Sequence, residues 1–175
     1  KIVDAVTNFQ KAELQLRLLG SSGTVVERDL AQLTSAALRS GQSIQTLAEQ
    51  TRALAQTRTF AGRSTSDVIK LEGDLVDAFK RSGKSASENG GAFDALKTIA
   101  RENKVEIGNF NTLLDKTPTI LTAVAAGLIE ANGDLERLRE LIDDGKLSGT
   151  DFFRAFEAGR PVLQNFPDAV GGIAH

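Results

Sequence analysis

The stretch Gly62-Arg63-Ser64-Thr65-Ser66-Asp67-Val68-Ile69-Lys70-Leu71-Glu72-Gly73-Asp74-Leu75-Val76-Asp77-Ala78-Phe79-Lys80-Arg81-Ser82-Gly83-Lys84-Ser85 decides how this chain folds. Its ends repeat one another: a Gly, then a Ser two positions later. Between them Val68, Leu71, Leu75, Val76 and Phe79 recur at intervals of three and four, the rhythm of a helix with one apolar face. Gly tolerates the left-handed backbone that ends a helix, and Ser accepts a hydrogen bond from the free N–H groups that begin the next. The stretch therefore predicts a helix held between two breaks, with Gly62 and Gly83 ending helices and Ser64 and Ser85 beginning them. Asp67 and Glu88 stand three residues after those serines, as in a capping box.

Working outward, Gly20 and Gly41 extend the same 21-residue spacing toward the start of the chain, followed by Ser22 and Ser43. Gly145 and Ser148 repeat the chemistry later on. Helices are expected at 2–18, 24–39, 44–58, 65–81, 87–102, 106–115, 118–131, 134–143, 149–158 and 161–165. No run alternates like a strand. Twenty-one residues are also three heptads, which raises a continuous coiled coil. A Gly at every interval opposes that rod, since each costs ~1 kcal/mol inside a helix. The expected fold is all-α: a multi-helix array of short antiparallel helical hairpins with Gly/Ser breaks and no sheet. Residues 1–59 read as amphipathic helices leading into a compact helical core module at 60–175.

Thr117-Pro118-Thr119-Ile120-Leu121-Thr122-Ala123-Val124-Ala125-Ala126-Gly127 stands apart. Thr117 suits a helix cap, and Pro118 suits the first helical position, where its missing N–H costs nothing. The following residues are apolar nearly all round, which marks a buried helix. Glu130 and Asp134 close it before the ~20 apolar residues of a membrane span are reached. Ala123, Ala125, Ala126 and Gly127 leave room for a neighbouring helix to come close. Asn111, just upstream, is read either as a specific buried hydrogen bond beside that helix or as a simple exposed residue.

Catalytic constellations are missing. There is no Cys and a single His, His175, so no thiolate or imidazole site can be built, neither nucleophilic nor metal-binding. The string Ser82-Gly83-Lys84-Ser85 contains the Gly-Lys-Ser of a phosphate loop. Ala78 stands where that motif needs Gly, and the residues ahead are helical rather than strand-like. Asp143 and Asp144 adjoin Gly145 and read as a solvated helix exit. A net charge of −2, without a basic stripe, offers nothing specific to nucleic acid. Hydrophobic residues at 41% and charged residues at 25% are those of a packed domain. The reading is of a structural module: not an enzyme, with no cofactor and no metal. The chain opens Lys1-Ile2-Val3-Asp4, as a piece of something longer would.

A resemblance enters from Gly41 onward and is clearest over 60–159. Phe60-Ala61-Gly62-Arg63-Ser64 is followed by Glu106-Ile107-Gly108-Asn109-Phe110-Asn111-Thr112-Leu113-Leu114, then by Thr117-Pro118 and its apolar helix. Gly127-Leu128, Gly133-Asp134-Leu135-Glu136-Arg137-Leu138 and Asp144-Gly145-Lys146-Leu147-Ser148, leading into Phe152, complete the order. In that order and spacing the chain resembles the core segment of the tape measure proteins of long-tailed bacteriophages and prophages. The turn at Glu130-Ala131-Asn132 departs from the family's shorter form, and residues 1–40 are similar only as amphipathic helix.

The resemblance implies a structural assembly protein that occupies the lumen of the tail tube and sets tail length. It implies a virion location, with the host cytoplasm as the place of assembly. Implied partners are the tail tube protein, tail assembly chaperones and tail-tip hub proteins, and a homo-oligomer is compatible with it. The alternative from the residues alone is a helical protein–protein adaptor module unrelated to phage. A ruler should be extended, because a helix gains ~1.5 Å per residue. Breaks that let the chain double back therefore suggest a folded block rather than the measuring rod itself.

Overall fold

The structure, a computed structural model, describes residues 2–21, 23–83 and 86–165. Among these residues every regular element is helical. The elements are α1 (Ile2–Leu18), α2 (Thr24–Ser40), α3 (Ile44–Ala55), α4 (Thr65–Ser82), α5 (Ala86–Glu102), α6 (Ile107–Lys116), α7 (Pro118–Gly127), α8 (Leu135–Asp143), α9 (Gly149–Gly159) and a closing 3-10 helix (Arg160–Asn165). The all-α expectation holds. The chain divides into two compact units, Lys1–Val76 and Asp77–His175, with the division inside α4. The boundary expected at 59/60 lies in the loop between α3 and α4.

The Gly–Ser chemistry sets several of the helix ends. Gly20, Gly41, Gly62 and Gly83 all sit at positive φ (98°, 75°, 87° and 70°), a backbone that a residue with a Cβ adopts only at a cost. After α1 the chain closes by Ser21 N–H donating back to the Leu16 carbonyl, and after α8 by Lys146 N–H donating to that of Leu141. Gly145 makes the second turn at φ 70°. At the other ends, Ser43, Ser64 and Ser148 Oγ accept from the backbone N–H of Thr46, Asp67 and Asp151 at 3.0, 3.1 and 3.0 Å. Ser22 and Ser85 lie outside the described residues.

Two expected ends move. Helix α3 stops at Ala55, where the Thr57 hydroxyl donates to the Leu54 carbonyl at 2.6 Å and offers the chain an alternative to the next helical turn. Gly62 therefore does not end a helix. It closes a series of turns that buries Phe60, over whose ring the Arg63 guanidinium stands at 5.3 Å. Helix α7 stops at Gly127 rather than near 131. Asn132 and Gly133 take positive φ (48° and 81°), and the Gly133 N–H turns back to the Ala125 carbonyl.

In the first unit, Ala12 and Leu16 of α1, Val26, Leu30, Leu33 and Ala36 of α2, Leu47 and Ala48 of α3, and Ile69 and Val76 of α4 form one apolar cluster. In the second unit α7 is the central helix. It buries Ile120, Leu121, Ala123, Val124 and Ala125, and packs against α6, α8, α9 and the 3-10 helix. Phe152, Phe153 and Phe156 of α9 are buried as well.

Candidate functional site

In the second unit α7 and α9 cross with their backbones in close contact. A Cβ built on Gly127 would lie 2.6 Å from the Gly159 nitrogen and nearer still to the Ala155 carbonyl oxygen. A Cβ built on Gly159 would lie 2.6 Å from the Gly127 nitrogen and nearer still to the Ala123 carbonyl oxygen. The contact is reciprocal: Ala123-x-x-x-Gly127 against Ala155-x-x-x-Gly159, with small residues one turn apart on each helix. Backbone meets backbone, so no side chain can be inserted without moving a helix. Of the small residues the sequence singled out, Ala123 and Gly127 form this contact and Ala126 is exposed.

The start of α7 is held by a chain of hydroxyls. Thr119 Oγ1 donates to the Ala78 carbonyl at 2.6 Å. That uses its only proton, so its 2.7 Å contact with Ser82 Oγ must be one it accepts. Ser82 has then spent its own proton, and it accepts from Thr117 Oγ1 at 2.9 Å. The relay runs Thr117 to Ser82 to Thr119 to Ala78, and both threonines are buried. Thr117 occupies the cap position and Pro118 the first turn of α7, yet the Thr117 side chain makes no cap hydrogen bond. Its hydroxyl is taken by Ser82 instead. Asn111 is exposed. The asparagines with defined bonds are Asn109, whose Oδ1 accepts from Glu106 N–H at 3.0 Å, and Asn103. Asn103, at φ 51°, accepts from both the backbone N–H and the hydroxyl of Thr150 at 2.8 and 3.1 Å, fastening the start of α9.

The first unit buries two acids in contrasting ways. Asp29 is satisfied: Ser21 and Ser66 hydroxyls donate to its two oxygens at 3.1 and 2.9 Å, and Arg28 in turn donates to Ser66. Glu72 is fully buried and neither carboxyl oxygen has a partner. Burial alone pushes its pKa up to about 8, so the group is held as a neutral acid at neutral pH. It sits on the face of α4 that carries Val68, Ile69, Leu75 and Val76, which the helical rhythm shows; its lack of partners does not follow from sequence.

The same unit leaves an apolar groove open. A cavity of about 1020 Å³ runs along α1 and α2, lined by Phe9, Val26, Leu30, Ala31 and Leu38, with Glu27 at its side. A second, of about 400 Å³, shares Phe9, Thr34 and Leu38 and reaches Ile44. Leu38 is 81% exposed. Among the described residues no cluster of three potential metal ligands exists, and no helix is long and apolar enough to cross a membrane.

A family model described as tape measure protein matches residues 1–170. The chain belongs to the tape measure protein family. The match takes in α1 and α2, so the tape measure likeness reaches further than the 60–159 core on which the sequence resemblance was clearest. Tape measure proteins are structural and not catalytic, and they give this chain a phage-tail role in the virion. The adaptor unrelated to phage gives way to that match. No curated protein and no solved structure matches the chain.

Proposed function

We propose that this chain is a folded segment of a tape measure protein that occupies the tail tube lumen and sets tail length. The observation that carries the reading is the family match over residues 1–170. The architecture is in keeping with it: helix-rich units, close backbone packing at Gly127 and Gly159, and no metal-ligand cluster among the described residues. The tail tube protein would polymerise around the parent chain, tail assembly chaperones would hold it beforehand in the host cytoplasm, and tail-tip hub proteins would anchor its end. Nucleic acid would pass it without specific recognition. The parent acts by occupying length, not by chemistry, and the segment needs no cofactor for that.

In-frame duplication of the 175 residues within the parent gene tests the proposal, with tail length read by electron microscopy. Drawn out to one helix, the added segment lengthens the tail by about 260 Å, at 1.5 Å per residue. If the hairpins stay folded, the increase is a fraction of that. Tails of unchanged length would overturn the length-setting role.

A further inference from the structure

Six of the eight exposed large hydrophobic side chains among the described residues fall within α1 and α2: Val6, Phe9, Leu14, Leu18, Val25 and Leu38. They make two different shapes. Phe9 and Leu38 border the groove along α1 and α2. Leu14 and Leu18, one turn apart on α1 and 56% and 57% exposed, make a ridge. At about 100° per residue, this ridge lies roughly a third of the way around the helix from the Phe9–Glu13–Arg17 stripe that lines the groove. The ridge of one chain cannot fill its own groove.

Charge follows the same division. Lys11, exposed and without an ion pair among the described residues, stands one turn before Leu14 on the ridge side. In the groove Glu13 is engaged by Arg17 at 3.0 Å, which leaves Glu27 as the groove's free charge. We infer that the α1 ridge of one copy of this chain seats in the α1–α2 groove of a second copy, with Lys11 against Glu27 and Leu14 and Leu18 over Leu30, Ala31 and Leu38. Lys11 to Leu18 spans ~10 Å of helix, and Glu27 to Leu38 about 16 Å, so the ridge fits within the groove's length. One contact covers both unpartnered apolar features and pairs both unpaired charges. The patches differ, so the contact is heterologous: every copy keeps a groove or a ridge for the next until a ring closes. The inference rests on the first unit alone and stands apart from the tail-length proposal.

Sedimentation of the 175-residue chain over a range of concentrations tests it. The unsubstituted chain should associate as concentration rises. L14K/L18K places charge at two exposed positions, leaves the helical circular dichroism intact, and raises the dissociation constant at least tenfold. K11E and E27K each weaken association by about fivefold, the upper range of an exposed pair. The double swap K11E/E27K brings it back toward the starting value. A chain that stays monomeric throughout overturns the inference. So does association that L14K/L18K leaves unchanged, which would place the contact elsewhere, and so does a double swap no better than the single ones.

Discussion

Glu72 should make the first unit less stable as pH rises, and replacing it with Gln should remove that dependence. The acid lies fully buried with both oxygens unpartnered, and burial raises its pKa from the ordinary 4.5 to about 8. Below pH 4.5 the carboxyl is protonated in both folded and unfolded chains, and it contributes nothing to the pH dependence. Between 4.5 and 8 the unfolded chain loses the proton while the folded one keeps it, so the unfolded state gains and stability falls. Above 8 both are ionised and the full penalty is present. A shift of about 3.5 pH units, at 1.36 kcal/mol each, amounts to roughly 5 kcal/mol over the whole window and about 3 kcal/mol by pH 7. E72Q keeps the shape and cannot ionise. The two units need not melt together, so the measurement is hydrogen exchange of the α2 and α4 amides, compared between pH 5 and pH 8 after correction for intrinsic exchange. The advantage of E72Q over the unsubstituted chain should grow by roughly 3 to 4 kcal/mol between those pH values. Equal slopes for the two chains would mean that Glu72 has partners or water in solution, and would refute the reasoning.

The crossing of α7 and α9 gives a second expectation: G127A or G159A should destabilise the second unit by about 1–3 kcal/mol or more, because overpacking here meets backbone and not a yielding side chain. A loss under half a kcal/mol in urea melts would show that the helices separate cheaply. T119V removes the donor to the Ala78 carbonyl and the acceptor for Ser82, and should cost about 1–3 kcal/mol. S82A breaks only the middle of that relay and should cost less than T119V, an ordering that the same melts check. S148A should cost about 1 kcal/mol through the lost cap on α9, with exchange accelerating first in the Asp151 amide, while the Thr150 amide stays held by Asn103.

Helix positions were legible because the chemistry that sets them is local. A Gly that accepts positive φ and a Ser that reaches an N–H three residues on act within one turn, whatever surrounds them. The misread ends are those where a competing bond or a distant helix decides. The Thr57 hydroxyl diverts α3 before Gly62 is reached, and α7 ends at the residue pressed against Gly159, 32 positions away. The crossing itself was half legible. Ala123 and Gly127 announced room for a close neighbour, but nothing in the spacing named Ala155 and Gly159 as that neighbour. Thr117 stands at the start of α7, but its hydroxyl does not cap the helix, because the group that competes for it, Ser82, lies 35 positions away. Asn103 carries no signal in the sequence, because an Asn after a helix is ordinary; its bonds to Thr150 depend on where α9 begins. Glu72 shows the limit most clearly. Helical periodicity places it on the apolar face, and only the packed unit shows that no partner meets it there.

The two units resist opening for different reasons, and this bears on the conflict between a folded hairpin and a ruler. In the second unit the Gly127–Gly159 contact and the hydroxyl relay are lost together if α7 leaves, since both involve that helix. Nothing in that set is relieved by opening. In the first unit, exposing residues 65–76 of α4 breaks the bonds from Ser66 to Asp29 and from Thr65 to the Leu19 carbonyl, but it also returns Glu72 to water. At neutral pH that return recovers about 3 kcal/mol, enough to offset a hydrogen bond or two at ~1 kcal/mol each. The apolar groove along α1 and α2 marks the same unit as one whose surface is incompletely covered. If length is gained by unfolding hairpins inside the tube, Glu72 lowers the cost of opening residues 65–76 of α4 at neutral pH, the part that belongs to the first unit. The second unit is then the part that keeps its fold and the length it forgoes.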